Sequence, residues 1–237
     1  MRRRVAQLEM RLRPVPRWGG RRDHAGRKRN AASGVPHTSR DRFSSLQPTH
    51  VTLRLTPDVV SLRTKRVVRA IERTFAAGAE RSAFRLVHYS LQGNHAHLIV
   101  EARDHAALGR GMMAIGARLA LAVNRVMGRR RGRVIAERYH ARLLRSPREV
   151  HRALRYVLLN ARKHLGSVGA RLRAASAVLD PASSARWFDG WTRDLRPEMR
   201  RAPDGLATRS VVARARTWLL RTGWRKHGLL YPGEVPG

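Results

Sequence analysis

The stretch Asn94-His95-Ala96-His97-Leu98-Ile99-Val100-Glu101 constrains the fold of this chain more than any other. Its residue types alternate and β-branched residues close it, which is the pattern of a strand. Alternation sets His95 and His97 side by side on one face, with Asn94, Ala96, Leu98 and Val100 on the other. Two imidazoles on one strand face can hold one metal ion, although a bare His-x-His pair is more often two ordinary sheet histidines.

The neighbouring segments supply the rest of a sheet. His50-Val51-Thr52-Leu53-Arg54-Leu55 alternates, with Val51, Leu53 and Leu55 toward a core and His50, Thr52 and Arg54 away from it. A helix is expected over 61–78, carrying Val67, Val68, Ile71 and Phe75 at helical spacing. Residues 83–91 read as a second strand. Gln92-Gly93 makes a tight turn, from which the histidine strand returns antiparallel. Asp104 is placed to cap a long helix with the stripe Leu108, Met112, Ile115, Leu119, Val123 and Val126, weakened at Gly109, Gly111 and Gly116. The basic loop Arg129-Arg130-Arg131-Gly132-Arg133 follows, and residues 134–144 look extended.

The next helix has the clearest start in the chain. Ser146-Pro147-Arg148-Glu149 combines a serine cap, proline at the first helical position and glutamate at the third. The helix is expected to reach about His164, before Gly166. Val150, Ala153, Leu154, Val157, Leu158 and Ala161 form its apolar stripe. Tyr156 and Asn160 lie one turn apart on the opposite side, flanked by Arg152 and Lys163. From the helix alone, an exposed tyrosine beside a solvated charged face explains that side better than phosphate chemistry does. The order of elements predicts an α+β fold, a ferredoxin-like antiparallel sheet with helices on one face. The last helix would turn its polar side toward the histidines.

Charge indicates the partner. The chain carries 50 basic against 16 acidic residues, a formal charge of +34. Only Lys28, Lys65, Lys163 and Lys226 are lysine; the rest are arginine, whose planar fork suits phosphate. A biased genome accounts for arginine in place of lysine but not for the shortage of acids, so a polyanion, nucleic acid, is the expected partner. No run approaches the roughly 20 apolar residues of a membrane span. No apolar stretch follows Met1-Arg2-Arg3-Arg4, and there is no cysteine, so a cytoplasmic protein without disulfides or thiolate metal sites is expected. Residues 1–47 read as a basic, disordered arm, 48–168 as the main domain, and 169–237 as a small helical appendage. In that appendage a helix is expected near Val211–Leu219 and a second short one near Trp224–Leu230. Its tryptophans are read as packing anchors rather than base-stacking platforms.

At this point the residues resemble a known family. His95-Ala96-His97 resembles the HUH motif, two histidines around a hydrophobic residue. Leu154-Arg155-Tyr156-Val157-Leu158-Leu159-Asn160 resembles the nucleophile helix of single-tyrosine HUH transposases, and most of all that of the REP-associated tyrosine transposases. The likeness covers about residues 48–165, and the order of elements agrees. Where the family often continues with proline after the asparagine, this chain has Ala161.

The resemblance implies metal-dependent cleavage and rejoining of single-stranded or hairpin DNA by a monomer or homodimer. His95, His97 and Asn160 would hold magnesium or manganese, with the amide oxygen suiting magnesium better than imidazole does. Tyr156 would form a 5′-phosphotyrosine. Arg54, Arg152, Lys163 and the loop residues Arg129, Arg130 and Arg131 would hold the backbone without reading sequence. Tyr139, beside His140, is the rival nucleophile. His50 is a rival ligand, and Glu101 shares the histidine face further along. The rival functions are a replication-initiation or relaxase nickase on the same fold and a non-catalytic nucleic-acid binder derived from a transposase.

Overall fold

The computed structural model describes residues 43–163, 179–192 and 197–234. Nearly all of the expected N-terminal arm, 1–47, lies outside the described residues.

The strand signals produce one antiparallel sheet. Strand β1 is Thr49–Arg54, β2 Glu80–Arg81, β3 Phe84–Leu91, β4 His95–Ala102 and β5 His140–Leu143. Their order is β2-β3-β4-β1-β5, with every neighbour antiparallel. The histidine strand is therefore central, between β3 and β1. Helix α1 is Lys65–Ala76, α2 His105–Val126 and α3 Pro147–Lys163. Of the extended stretch expected over 134–144, only His140–Leu143 forms a strand.

Helix starts follow their sequence signals. Asp104 Oδ1 accepts from Ala107 N–H at 2.7 Å and caps α2. Ser146 Oγ accepts from Glu149 N–H at 3.2 Å, while the Glu149 carboxylate accepts from Arg145 N–H at 2.6 Å. Helix α2 is long and apolar enough by composition to cross a membrane, contrary to the sequence expectation. Its stripe Leu108, Met112, Ile115, Leu119 and Val123 is buried in the protein core, the ordinary state of an interior helix. Gly111 lies against Phe84 of β3, and a Cβ there would overlap the ring.

The helices do not lie on one face, and this corrects the sequence reading. Helices α1 and α2 cover the face formed by Val51, Leu53, Leu98 and Val100. Helix α3 covers the other, with Val150, Leu154, Val157 and Leu158 packed around Val87, Ile99 and Leu144. The histidine face carries these apolar residues too, so leaving it uncovered would expose a second core.

The C-terminal segment is likewise not a separate helical appendage. Its described residues belong to the same compact unit as the sheet. Leu206 and Val211 join the first core, and Phe188, Trp191, Leu220, Trp224 and Leu230 the second. The helix expected near Val211–Leu219 shrinks to Trp218–Arg221, followed by a 3-10 turn at Gly223–His227. The residues before it are held non-helical by tertiary bonds. Ala213 N–H donates to Leu86 C=O at 2.8 Å, and Arg216 and Thr217 N–H donate to the buried Glu101 carboxylate at 2.8–3.0 Å.

Candidate active site

Register brings the polar residues of β1 and β4 together. Thr52 pairs with His97, Arg54 with His95 and His50 with Ile99, so all the β1 residues that point away from the first core stand beside the histidine pair. The ring centroids of His95 and His97 are 4.8 Å apart. His97 is only 5% exposed. Its Nδ1 lies 3.2 Å from Thr52 Oγ1 and 3.3 Å from His50 Nε2. Its Nε2 lies 3.3 Å from the Tyr156 hydroxyl. His95 Nδ1 lies 2.9 Å from Asn94 Oδ1.

Helix α3 delivers Tyr156 because its capped start follows directly on the edge strand β5 and its apolar stripe docks on Ile99 of β4. The Tyr156 ring meets His97 edge-on, with centroids 4.9 Å apart, and stands 6.0 Å from His50. A tyrosine off the stripe is thus half-buried against the histidines rather than solvated.

His50 is neutral at physiological pH. Burial, followed by neighbouring His140 and Arg142, brings its pKa down to about 4. This rival ligand therefore belongs to the site as a neighbour of His97 Nδ1. The rival nucleophile does not, since Tyr139 packs against the first core, on the α1/α2 side. Glu101 is taken up by Arg216 and Thr217, including the Thr217 hydroxyl at 2.8 Å.

Asn160 departs from expectation. Sequence spacing puts it on a polar face, yet it is 0% exposed. It lies one turn beyond Tyr156, on the side of α3 that Tyr156 turns toward His97. Among the described residues neither amide atom of Asn160 has a hydrogen-bond partner, so no bond ties it to the histidines. An orphaned buried amide is costly and calls for a ligand or water. Among the described residues no cluster of three His, Asp or Glu is arranged to hold a metal. By their chemistry, two adjacent imidazoles and an amide oxygen are suitable donors for a divalent cation.

Open clefts lie on either side of the site. Arg142, Arg152 and Arg155 line one with His50 and Tyr156. Arg54, Arg138, Glu137 and His140 line the other with His95 and Thr52. Arg54 and Arg152 thus stand where the sequence put them. Arg142, Arg138 and Arg155 went unread, because only register and helix docking bring them near. Arg130 and Arg131 are exposed in the loop after α2, whereas Arg129 pairs with Asp58 at 2.7 Å. Lys163 ends α3, and its side chain lies outside the described residues.

No family model and no curated protein matches the sequence. One solved structure, described as a REP-associated tyrosine transposase bound to a REP hairpin, is similar with a TM-score of 0.49 and 16% sequence identity, over 76% of this chain and 99% of that one.

Proposed function

We propose that this protein is a DNA strand transferase of the HUH type, a transposase that cuts and rejoins single-stranded or hairpin DNA through Tyr156. The observation that carries this reading is the Tyr156 hydroxyl held 3.3 Å from His97 Nε2, beside His95 and between two arginine-lined clefts. A core-packing role would not require this convergence of a phenol, paired imidazoles and cations. The sequence of elements and the strand order support a ferredoxin-like reading of the sheet.

A divalent cation, magnesium or manganese, held by His95, His97 and Asn160 would polarise the scissile phosphate and offset its growing negative charge. Tyr156 is the nucleophile. Its oxygen bonds to phosphorus, the bond to the 3′ oxygen breaks, and a 5′-phosphotyrosine and a free 3′-hydroxyl result. The phenol gives its proton to the medium and the leaving oxygen takes one up. The adduct conserves the energy of the diester, so a second 3′-hydroxyl reverses the step without ATP. Arg54, Arg142 and Arg152 hold the strand by its phosphates on either side of the tyrosine.

The test is covalent capture. With manganese and a single-stranded hairpin, the wild type should form a protein–DNA species that survives denaturing electrophoresis. Tyr156→Phe should lose it and still shift DNA in a native gel, while Tyr139→Phe should keep it. Loss with Tyr139→Phe and not with Tyr156→Phe would reassign the nucleophile. DNA binding without an adduct from any hairpin taken from the flanks of the gene would leave a non-catalytic binder.

A further inference from the structure

We propose that Asn94, Thr52 and His50 lock both histidines of the pair in one tautomer, with the proton on Nδ1 and the lone pair on Nε2. None of the three has to touch substrate; they act as positioning residues through the rings they hold.

The argument is geometric. Neutral imidazole carries one N–H and one lone pair, and the partner of the first nitrogen decides what the second can do. At His95, the Nδ1 neighbour is the Asn94 amide oxygen at 2.9 Å, which can only accept. His95 Nδ1 must therefore be the donor, and Nε2 keeps the lone pair. At His97, the Nδ1 neighbours are the Thr52 hydroxyl oxygen at 3.2 Å and His50 Nε2 at 3.3 Å. Both can accept from one shared N–H. On the far side of the ring, Nε2 faces the Tyr156 hydroxyl at 3.3 Å, and a phenol is the better donor of that pair. The two histidines reach the same protonation pattern through unrelated partners. One is the residue preceding His95 in sequence; the other two lie on the neighbouring strand, where register sets Thr52 directly opposite His97. Matched Nε2 lone pairs are what a shared cation, or the phenol proton, requires of two adjacent rings. Partners of this kind are worth about 10–100-fold in metal affinity where they have been removed.

The significance of the lock for catalysis rests on the strand-transferase reading, but the test of the lock does not. In protein with 15N-labelled histidine, free of metal and DNA and above the histidine titration range, long-range proton–nitrogen correlation reads the tautomer of each ring. His95 and His97 should both show the Nδ1–H pattern. Thr52→Val keeps the shape and removes the oxygen, and in combination with His50→Phe it should move His97 to mixed tautomers while leaving His95 unchanged. Asn94→Ala should do the converse. Thr52→Ser should restore the wild-type pattern, which a loss of packing alone would not allow. Manganese affinity, read by electron paramagnetic resonance, should fall about 10–100-fold in the Thr52→Val/His50→Phe double variant and in Asn94→Ala. Nε2–H on either ring of the wild type would overturn the proposal, as would a His97 pattern indifferent to the Thr52→Val/His50→Phe double variant. The expected tautomers in a protein that never forms an adduct would leave the lock standing and remove the catalytic reading.

Discussion

Glu72 of α1 offers the sharpest test of how the C-terminal segment is held. Its side chain is 1% exposed and lies against Arg186, itself 5% exposed. The carboxylate also accepts from the Tyr89 hydroxyl at 2.9 Å and from Ala207 N–H at 2.8 Å. Glu72→Gln keeps the shape, and one amide oxygen can still serve Tyr89 or Ala207. Among the described residues Arg186 then keeps the carbonyls of Pro181, Ser183 and Ala207 at 3.1, 3.4 and 3.3 Å and its stacking on Trp187. Breaking one side of a buried ion pair costs about 3–5 kcal/mol, and those carbonyls put this case near 3. For a chain of this size that is a fall of about 6–12 °C in Tm. Urea denaturation followed by far-UV circular dichroism measures it. Glu72→Gln with Arg186→Met should recover most of the loss, because the unpaired buried charge is removed while an amide oxygen remains to accept from Tyr89 or Ala207. A Glu72→Gln cost within about 0.5 kcal/mol, the range of an ordinary surface change, would refute the reasoning.

Affinity for single-stranded DNA should fall with salt at a log–log slope of about −0.7 per phosphate contact, and Arg152→Ala should flatten the slope without changing sequence preference; filter binding across a salt series measures both. His88 is buried and its pKa is held down to about 4, so the unfolded state takes up the extra proton between pH 6.5 and 4. Its contribution is complete above the unfolded pKa and falls by up to about 3 kcal/mol as pH drops toward 4. His50 carries a similar shift and His151 is also held down, so His88→Asn should remove part, and His88→Asn with His50→Asn most, of the pH slope of the urea midpoint. Gly111→Ala should destabilise by about 1–3 kcal/mol through overlap with Phe84, outweighing the helix-propensity gain. Gly109→Ala, which meets open space, should raise Tm.

The sequence by itself determined the elements and the chemistry placed on them. Alternation in His50–Leu55 and Asn94–Glu101 is a local property, because a strand exposes its faces with period two whatever it pairs with. The same is true of the Ser146-Pro147-Arg148-Glu149 start and the Asp104 cap, whose partners lie within one turn. His95, His97 and Tyr156 could be singled out because their motifs are short and their spacing is local. Tertiary structure decided what faces what. Thr52 and His50 join His97 only through the β1–β4 register, which depends on how two distant segments pair. Asn160 is buried although its polar type and helical spacing put it off the apolar stripe, and helical period alone does not say which side a neighbouring element covers. The expected helix near Val211–Leu219 gave way to bonds from Leu86 and Glu101, where partners remote in sequence outweighed a weak local propensity.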